Sequence, residues 1–366
     1  CLHGGGSYYK PDPVYNDLKR ITQLPDDYYY TKAITDSAVS FIHTHDTDRP
    51  MFLYLAHYAP HLPLQAPAEY VEKCMDRYKV GYDVLRKQRF EKQKRLGLIP
   101  DNMELPIFNK EFNGKRPSWN ELTPEQQEKW IKDMATYAAM IEIMDEGIGQ
   151  VIKELKKKNM YENTVFLFMS DNGATDEGGF IGQLMSDLSN TPYRSYKKWV
   201  FQGGTSSPLI LCYGNKSKNL QKGKVCSQPA HIIDIMPTCM ALGNVSYPKT
   251  FSHADLPGTN LLPATTGQSV HKRTLYFEHQ SSCAIIEGNW KLVRADRNSQ
   301  WELIDLDKDP FETHDLSTTY PDKVEELEAK WIEWANTHKV FPLEDKPWTE
   351  RINFYHEKNS YQKGDY

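Results

Sequence analysis

Thr164-Val165-Phe166-Leu167-Phe168-Met169-Ser170-Asp171-Asn172-Gly173 is an almost continuous apolar run that ends abruptly in a polar turn. A run of that length bounded by turn residues reads as a strand buried on both faces, the kind found in parallel sheets. Met51 to Ala56 (MFLYLA) has the same character, and Pro208 to Cys212 (PLILC) reads as a further buried strand. Between the first two, Tyr137, Ile141, Met144, Ile148, Ile152 and Leu155 recur at helical spacing, and the segment closes on Lys156, Lys157 and Lys158, where cations favour a helix C-terminus. This predicts a crossover helix. Ala230 to Leu242 reads as another helix, broken or kinked at Pro237. The expected fold is therefore α/β: a large, mostly parallel mixed sheet flanked by helices.

Beyond Pro263 the pattern changes. Short runs at Leu275–Glu278, Ala284–Glu287, Trp290–Val293 and Trp301–Asp305, separated by turn residues, predict an antiparallel meander. Pro321 to Ala335 follows as a helix with Val324, Leu327, Trp331 and Trp334 on one face. The expected organisation is an α/β domain over 1–262, a small α+β domain over 263–340 and an extended tail over 341–366.

The chain has 366 residues, 39% hydrophobic and 25% charged, and its 44 basic and 49 acidic residues give a net charge of 44 − 49 = −5. That balance excludes a disordered chain and offers no global field for nucleic acid or an anionic membrane. No apolar run reaches the roughly 18 residues of a spanning helix, and residues 1–11 lack a signal-peptide pattern. The six cysteines are scattered without a CxxC pair, which argues against zinc and thioredoxin-like sites. Arg86, Lys87, Arg89, Lys92, Lys94 and Arg95 crowd one helical stretch. A solvated helix face explains them; a rim attracting a sulfated glycan is the sharper alternative.

Three loops adjoining expected strands could carry chemistry. In Ser170-Asp171-Asn172-Gly173 a carboxylate and an amide oxygen are hard donors of the kind Ca²⁺ or Mg²⁺ accepts, and the glycine allows a close turn, although the same residues also make ordinary turns. Ala59-Pro60-His61-Leu62-Pro63-Leu64-Gln65-Ala66-Pro67 stiffens a loop around His61, a side chain suited to general acid work or to binding an anion. Tyr196-Lys197-Lys198-Trp199-Val200-Phe201-Gln202-Gly203-Gly204-Thr205 offers a lysine that could neutralise an oxyanion beside a glycine pair. A cation, a histidine and a lysine around one cavity suit a tetrahedral ester, sulfate or phosphate. His57 reads as packing.

These motifs, with the HGGGSYYKP start, YAAMIEIMDEGIG, HIIDIMPT, EGNWKLV and WELIDLDKDPFETHDL in the same order, make the chain resemble the type I sulfatases of the alkaline phosphatase superfamily. The resemblance implies sulfate-ester hydrolysis at a Ca²⁺ site with a formylglycine nucleophile made from Cys or Ser. It implies Asp171 and Asn172 as calcium ligands, His61 on the sulfate and leaving-group side, and Lys197, rather than Lys198, on the sulfate oxygens. It also marks His279 as a substrate contact. The substrate would be an aryl sulfate or a sulfated carbohydrate, and the location periplasmic or secreted; oligomeric state is left open. The Cys/Ser-x-Pro-x-Arg modification motif, the paired aspartates and the Gly-Lys-Trp-His segment of the family are absent, and Cys1, which precedes Leu-His-Gly, cannot supply the nucleophile. The sequence thus looks like a sulfatase without its amino-terminal third, expected to be inactive and aggregation-prone as written. A non-catalytic homologue, or a phosphodiesterase or phosphonate hydrolase, is the alternative.

Overall fold

The computed structural model describes residues 6–110, 114–214, 223–247, 257–270, 273–343 and 350. Cys1 and most of the 341–366 tail lie outside the described residues. In chain order the elements are β1 (Val14–Asn16), β2 (Lys19–Ile21), α1 (Tyr30–Thr44), α2 (Ala68–Tyr78), α3 (Tyr82–Arg95), α4 (Pro124–Lys157), β3 (Val165–Met169), α5 (Gly179–Ser189), α6 (Gln202–Thr205), β4 (Leu209–Tyr213), α7 (Ile235–Leu242), β5 (Leu275–His279), β6 (Ser282–Glu287), β7 (Trp290–Arg294), β8 (Glu302–Asp305) and α8 (Pro321–Thr337). The chain divides into two compact units interleaved in sequence. The first comprises residues 1–88, 117–168 and 209–223; the second comprises 89–116, 169–208 and 224–366.

In the first unit the crossover helix is present and longer than its periodicity indicated. Thr123 caps α4 by accepting from the Gln126 amide, Gln126 returns the bond, and Pro124 occupies the first helical position. The buried stripe is Met140, Ile143, Gly147, Val151 and Leu155. The expected face, through Tyr137, Ile141, Met144, Ile148 and Ile152, lies beside it and is half-buried. Gly147 sits in the stripe where α1 packs close: a Cβ there would collide with Thr35 Oγ1. Ala38, Ile42, Val151 and Leu155 form a core onto which Met51, Leu53, Leu55 and Phe166 pack.

The strands of this unit depart from the expectation of burial on both faces. Residues 51–56 run without a ladder partner among the described residues. β3 and β4 form a two-stranded sheet. Its ends pair in antiparallel sense, since Ser170 N–H donates to Pro208 O (3.3 Å) and Gly214 N–H to Thr164 O (2.9 Å). The helices cover only one face, so exposure alternates: Phe52 is 78% exposed, Tyr54 81% and Ile210 57%.

In the second unit β5, β6, β7 and β8 form an antiparallel sheet in that order, the expected meander, with Ile285 opposite Tyr276 and Leu292. Period-2 alternation sends Cys283, Ile285, Leu292 and Leu303 against Leu327, Trp331 and Ala335 of α8. The other face buries Ala284, Val293 and Ile304 against Val200 and Phe201. Burial pushes the Cys283 thiol up to about 11, so it stays protonated and inert at neutral pH. Pro237 sits in the first turn of α7, where its missing N–H costs no hydrogen bond, after a separate 3₁₀ turn at Ile232–Asp234. The basic stretch of α3 is in part structural: Arg86 is buried and Arg89 donates to Ser189 O (2.8 Å), while Lys87, Lys92 and Arg95 are exposed.

Candidate functional site

The polar turn after β3 is held by backbone hydrogen bonds and by the side chain of Asn190. Gly173 N–H donates to Gly204 O (3.0 Å), and Lys197 N–H donates to Ala174 O (2.9 Å). Asn190 bridges the same segments: its Oδ1 accepts from Ala174 N–H and its Nδ2 donates to Ser195 O, both at 2.9 Å. A Cβ on Gly173 would collide with Gly203 O, which is why only glycine serves there. The structure therefore brings the Asp171–Asn172 turn and the Lys197 loop together. His279 joins them from the end of β5, its Nδ1 donating to Lys198 O at 2.8 Å.

Asp171 is exposed, and its carboxylate takes no hydrogen bond from a described residue. Asn172 spends its Nδ2–H on Gly173 O (2.9 Å), leaving Oδ1 as a hard donor next to that carboxylate. These two oxygens suit a Ca²⁺ ion but supply only a fraction of the six to eight it takes. Among the described residues no cluster of three or more His, Cys, Asp or Glu side chains could hold a metal. The pair thus fits as one side of a cation site, completed by water, substrate or other protein oxygens. Nearby, burial raises the pKa of Asp176, opposed by the charge of Lys198. Lys197 is half-buried and Lys198 exposed, the latter with its ammonium over the Trp199 ring.

His61 belongs to the first unit. Its Nδ1 lies 2.9 Å from Leu62 O, and because a carbonyl can only accept, the proton sits on Nδ1. The ring stacks on Tyr58 at 4.9 Å between centroids, and Tyr58 Oη–H donates to Leu62 O at 2.9 Å. Tyr8 Oη–H donates to His61 O (2.8 Å), while Gln65 Oε1 accepts from Tyr8 N–H (2.9 Å) and Gln65 O from Tyr29 Oη–H (2.8 Å). Burial in this aromatic nest raises the Tyr8 phenol and pushes the Tyr29 phenol up to about 12, so both remain donors. His57, expected as packing, is enclosed with neither ring nitrogen hydrogen-bonded to a described residue, and burial lowers its pKa.

The sequence reading missed Tyr8, Gln65 and Asn190, which hold these loops. Bonds such as Tyr8–His61 span 53 residues and leave no spacing signal. It also missed Arg194, Lys291, Glu302 and Glu312 of the second unit. Arg194 makes a two-pronged contact with Glu302 (2.6 and 3.2 Å), and Lys291 pairs with Glu312 (2.7 Å) with both side chains fully buried.

A family profile described as sulfatase matches residues 3–245, about two thirds of the chain and all three candidate loops. The chain belongs to the sulfatase family. A second profile, described as N-sulphoglucosamine sulphohydrolase, C-terminal, matches residues 193–337 of this sulfatase. It is 29% identical to an uncharacterized sulfatase of Schizosaccharomyces pombe over 97% of this chain and 73% of that protein. It is 30% identical to an arylsulfatase of Klebsiella aerogenes, over 64% of this chain and 55% of that protein. Among solved structures, Ps i-CgsB matches with a TM-score of 0.63 at 23% identity, covering 96% of this chain and 64% of that one. BT4656, solved in complex with its substrate D-glucosamine-2-N,6-O-disulfate, matches with a TM-score of 0.63 at 19% identity, over 93% and 76% of the two chains. This sulfatase therefore has the expected alkaline phosphatase-like α/β fold with its antiparallel C-terminal sheet, and spans about half the length of the arylsulfatase it matches.

Proposed function

We propose that this chain supplies the cation-binding and sulfate-binding part of a sulfuric ester hydrolase. The observation that carries the reading is the pairing of the Asp171–Asn172 turn with the Lys197 loop through the Lys197–Ala174 bond. Two hard oxygens stand beside an ammonium-bearing loop at the end of a strand, where α/β sheets bind ligands. A Ca²⁺ ion bound there would neutralise charge on the ester's sulfate. Asp171 and Asn172 would hold it, and Lys197 would bind sulfate oxygens as a compact charge. The resemblance assigns His61 to the leaving group: the bond from Nδ1 to Leu62 O fixes the ring, so Nε2 is the nitrogen that exchanges a proton. His279 is assigned to the substrate.

The nucleophile is a formylglycine that this sequence does not encode, since no Cys or Ser starts a Cys/Ser-x-Pro-x-Arg motif. The chain alone is accordingly inactive, and turnover belongs to a protein that also carries that motif. A sulfated saccharide is the favoured substrate class, supported by the sulfated glucosamine named with BT4656. A periplasmic or secreted location follows from the resemblance; no described helix is long and apolar enough to cross a membrane. The test is release of sulfate from a panel of sulfated mono- and disaccharides and an aryl sulfate, with and without Ca²⁺, by a protein that carries this chain together with a Cys/Ser-x-Pro-x-Arg segment. Calcium-dependent release supports the reading, and release of phosphate from phosphodiesters instead would replace it.

A further inference from the structure

Lys291 lies in the middle of β7 and Glu312 in the loop after β8, and both side chains are at 0% exposure with Nζ and Oε1 2.7 Å apart. Burying two charges is expensive, and a well-packed apolar pair of the same volume serves stability as well or better. Glu312 carries a second cost, a backbone φ of +61° that side-chain-bearing residues rarely adopt. What an apolar pair could not do is accept a hydrogen bond. Glu312 Oε2 accepts the Gln202 amide N–H at 2.7 Å, and Lys291 Nζ reaches Gln202 Oε1 at 3.4 Å.

Gln202 opens α6, and its two successors form the wall on which the Asp171–Asn172 turn rests. Gly203 N–H donates to Arg194 O (2.7 Å), and Gly204 O accepts the Gly173 amide. A Cβ on Gly203 would collide with Ser195 O, and one on Gly204 with Trp199 O, so four backbone segments touch without slack. Arg194 is itself fixed to Glu302 of β8 and lies over the Phe201 ring at 4.1 Å. A shift of Gln202 is therefore passed to Gly173 and the two oxygens before it.

We propose that Lys291 and Glu312 are positioning residues for the Asp171–Asn172 cation site, acting through the Gln202 amide and the Gly203–Gly204 backbone. The proposal rests on the cation-binding reading above. It makes the C-terminal antiparallel sheet a structural support of the site.

The experiment compares the wild type with two neutral pairs and one backbone variant. Lys291→Met with Glu312→Leu keeps volume and removes the acceptor. Lys291→Met with Glu312→Gln removes the charges and keeps an acceptor for the Gln202 amide. Gln202→Pro deletes that N–H, together with the side-chain amide that Lys291 reaches, at a helix's first position, where proline is tolerated. Hydrogen exchange is read at Gly173 and Lys197 and, as the folding control, at β6 and β7; Ca²⁺ affinity is read by calorimetry with calcium chloride alone. Expected is at least tenfold faster exchange at Gly173 and at least tenfold weaker Ca²⁺ binding for the Met/Leu pair and Gln202→Pro. The sheet amides stay protected, and the Met/Gln pair restores both readouts. Wild-type exchange at Gly173 in Gln202→Pro, or equal loss of protection across the sheet in every variant, would overturn the proposal. If the Met/Leu pair does not fold, Gln202→Pro against the Met/Gln pair decides alone. Local loss at Gly173 with no Ca²⁺ binding even by wild type would sustain the positioning role and reject the cation reading.

Discussion

Each residue's surroundings set what its chemistry can do, and His57 shows this most simply. Its folded-state pKa lies below the ordinary histidine value of about 6.5, because burial, with neither ring nitrogen hydrogen-bonded to a described residue, disfavours the imidazolium. The unfolded chain then binds the proton more readily, so stability present above about pH 6.5 is lost as pH falls through that value toward the folded pKa. His231 is lowered by burial as well, but its Nδ1 accepts the Ile233 amide and caps a turn. Replacing His57 with Phe is expected to flatten the fall in Tm between about pH 7 and pH 5 without loss at neutral pH. An unchanged acid slope in thermal melts would show that other groups dominate. Asp171, Asn172, Lys197, His61 and His279 were legible in the sequence as candidates because they follow apolar runs or family motifs. What holds them was not legible: Asn190, Tyr8 and the buried Lys291–Glu312 pair act across distances that no local pattern encodes.

Helices and strands differed in how far the sequence specified them. The C-terminal meander and α8 were readable because alternation and a proline start are local signals, and both elements bury one defined face. For α4 the existence of the helix was readable, but of the expected face only Leu155 lies in the buried stripe. Its buried stripe includes Gly147, which carries little hydrophobic weight and is selected by the close approach of α1. Gly147→Ala is therefore expected to destabilise the protein by about 1–3 kcal/mol through overpacking. Thr35→Ala in the same chain should recover part of that loss, measured as a double-mutant cycle in urea. Additive effects would mean the two helices do not meet there. Capping gives a second element-scale prediction: Thr123→Ala removes the α4 N-cap and is expected to cost about 1 kcal/mol. No change in the urea midpoint would mean the cap contributes nothing.

At the scale of the whole molecule, the sequence suggested that residues 51–56, β3 and β4 are buried on both faces, yet among the described residues only one face of them is covered. Phe52 and Tyr54 stand about four-fifths exposed on the side away from α1 and α4, and Ile210 of β4 is also exposed. Apolar surface of this kind drives association. The chain is expected to self-associate at micromolar concentration, and Phe52→Ser with Tyr54→Ser to shift it toward monomer in sedimentation velocity. A monodisperse wild-type monomer would contradict this. The central claim is that Asp171 and Lys197 belong to a calcium-dependent sulfate site. Its most direct test is hydrolysis of 4-methylumbelliferyl sulfate by a protein carrying this chain together with a Cys/Ser-x-Pro-x-Arg segment, measured for wild type, Asp171→Ala and Lys197→Ala with and without Ca²⁺. The account predicts calcium-dependent turnover that falls at least about a hundredfold in either variant, the loss expected when a charge-stabilising group is removed. Turnover indifferent to calcium and to both substitutions would contradict it.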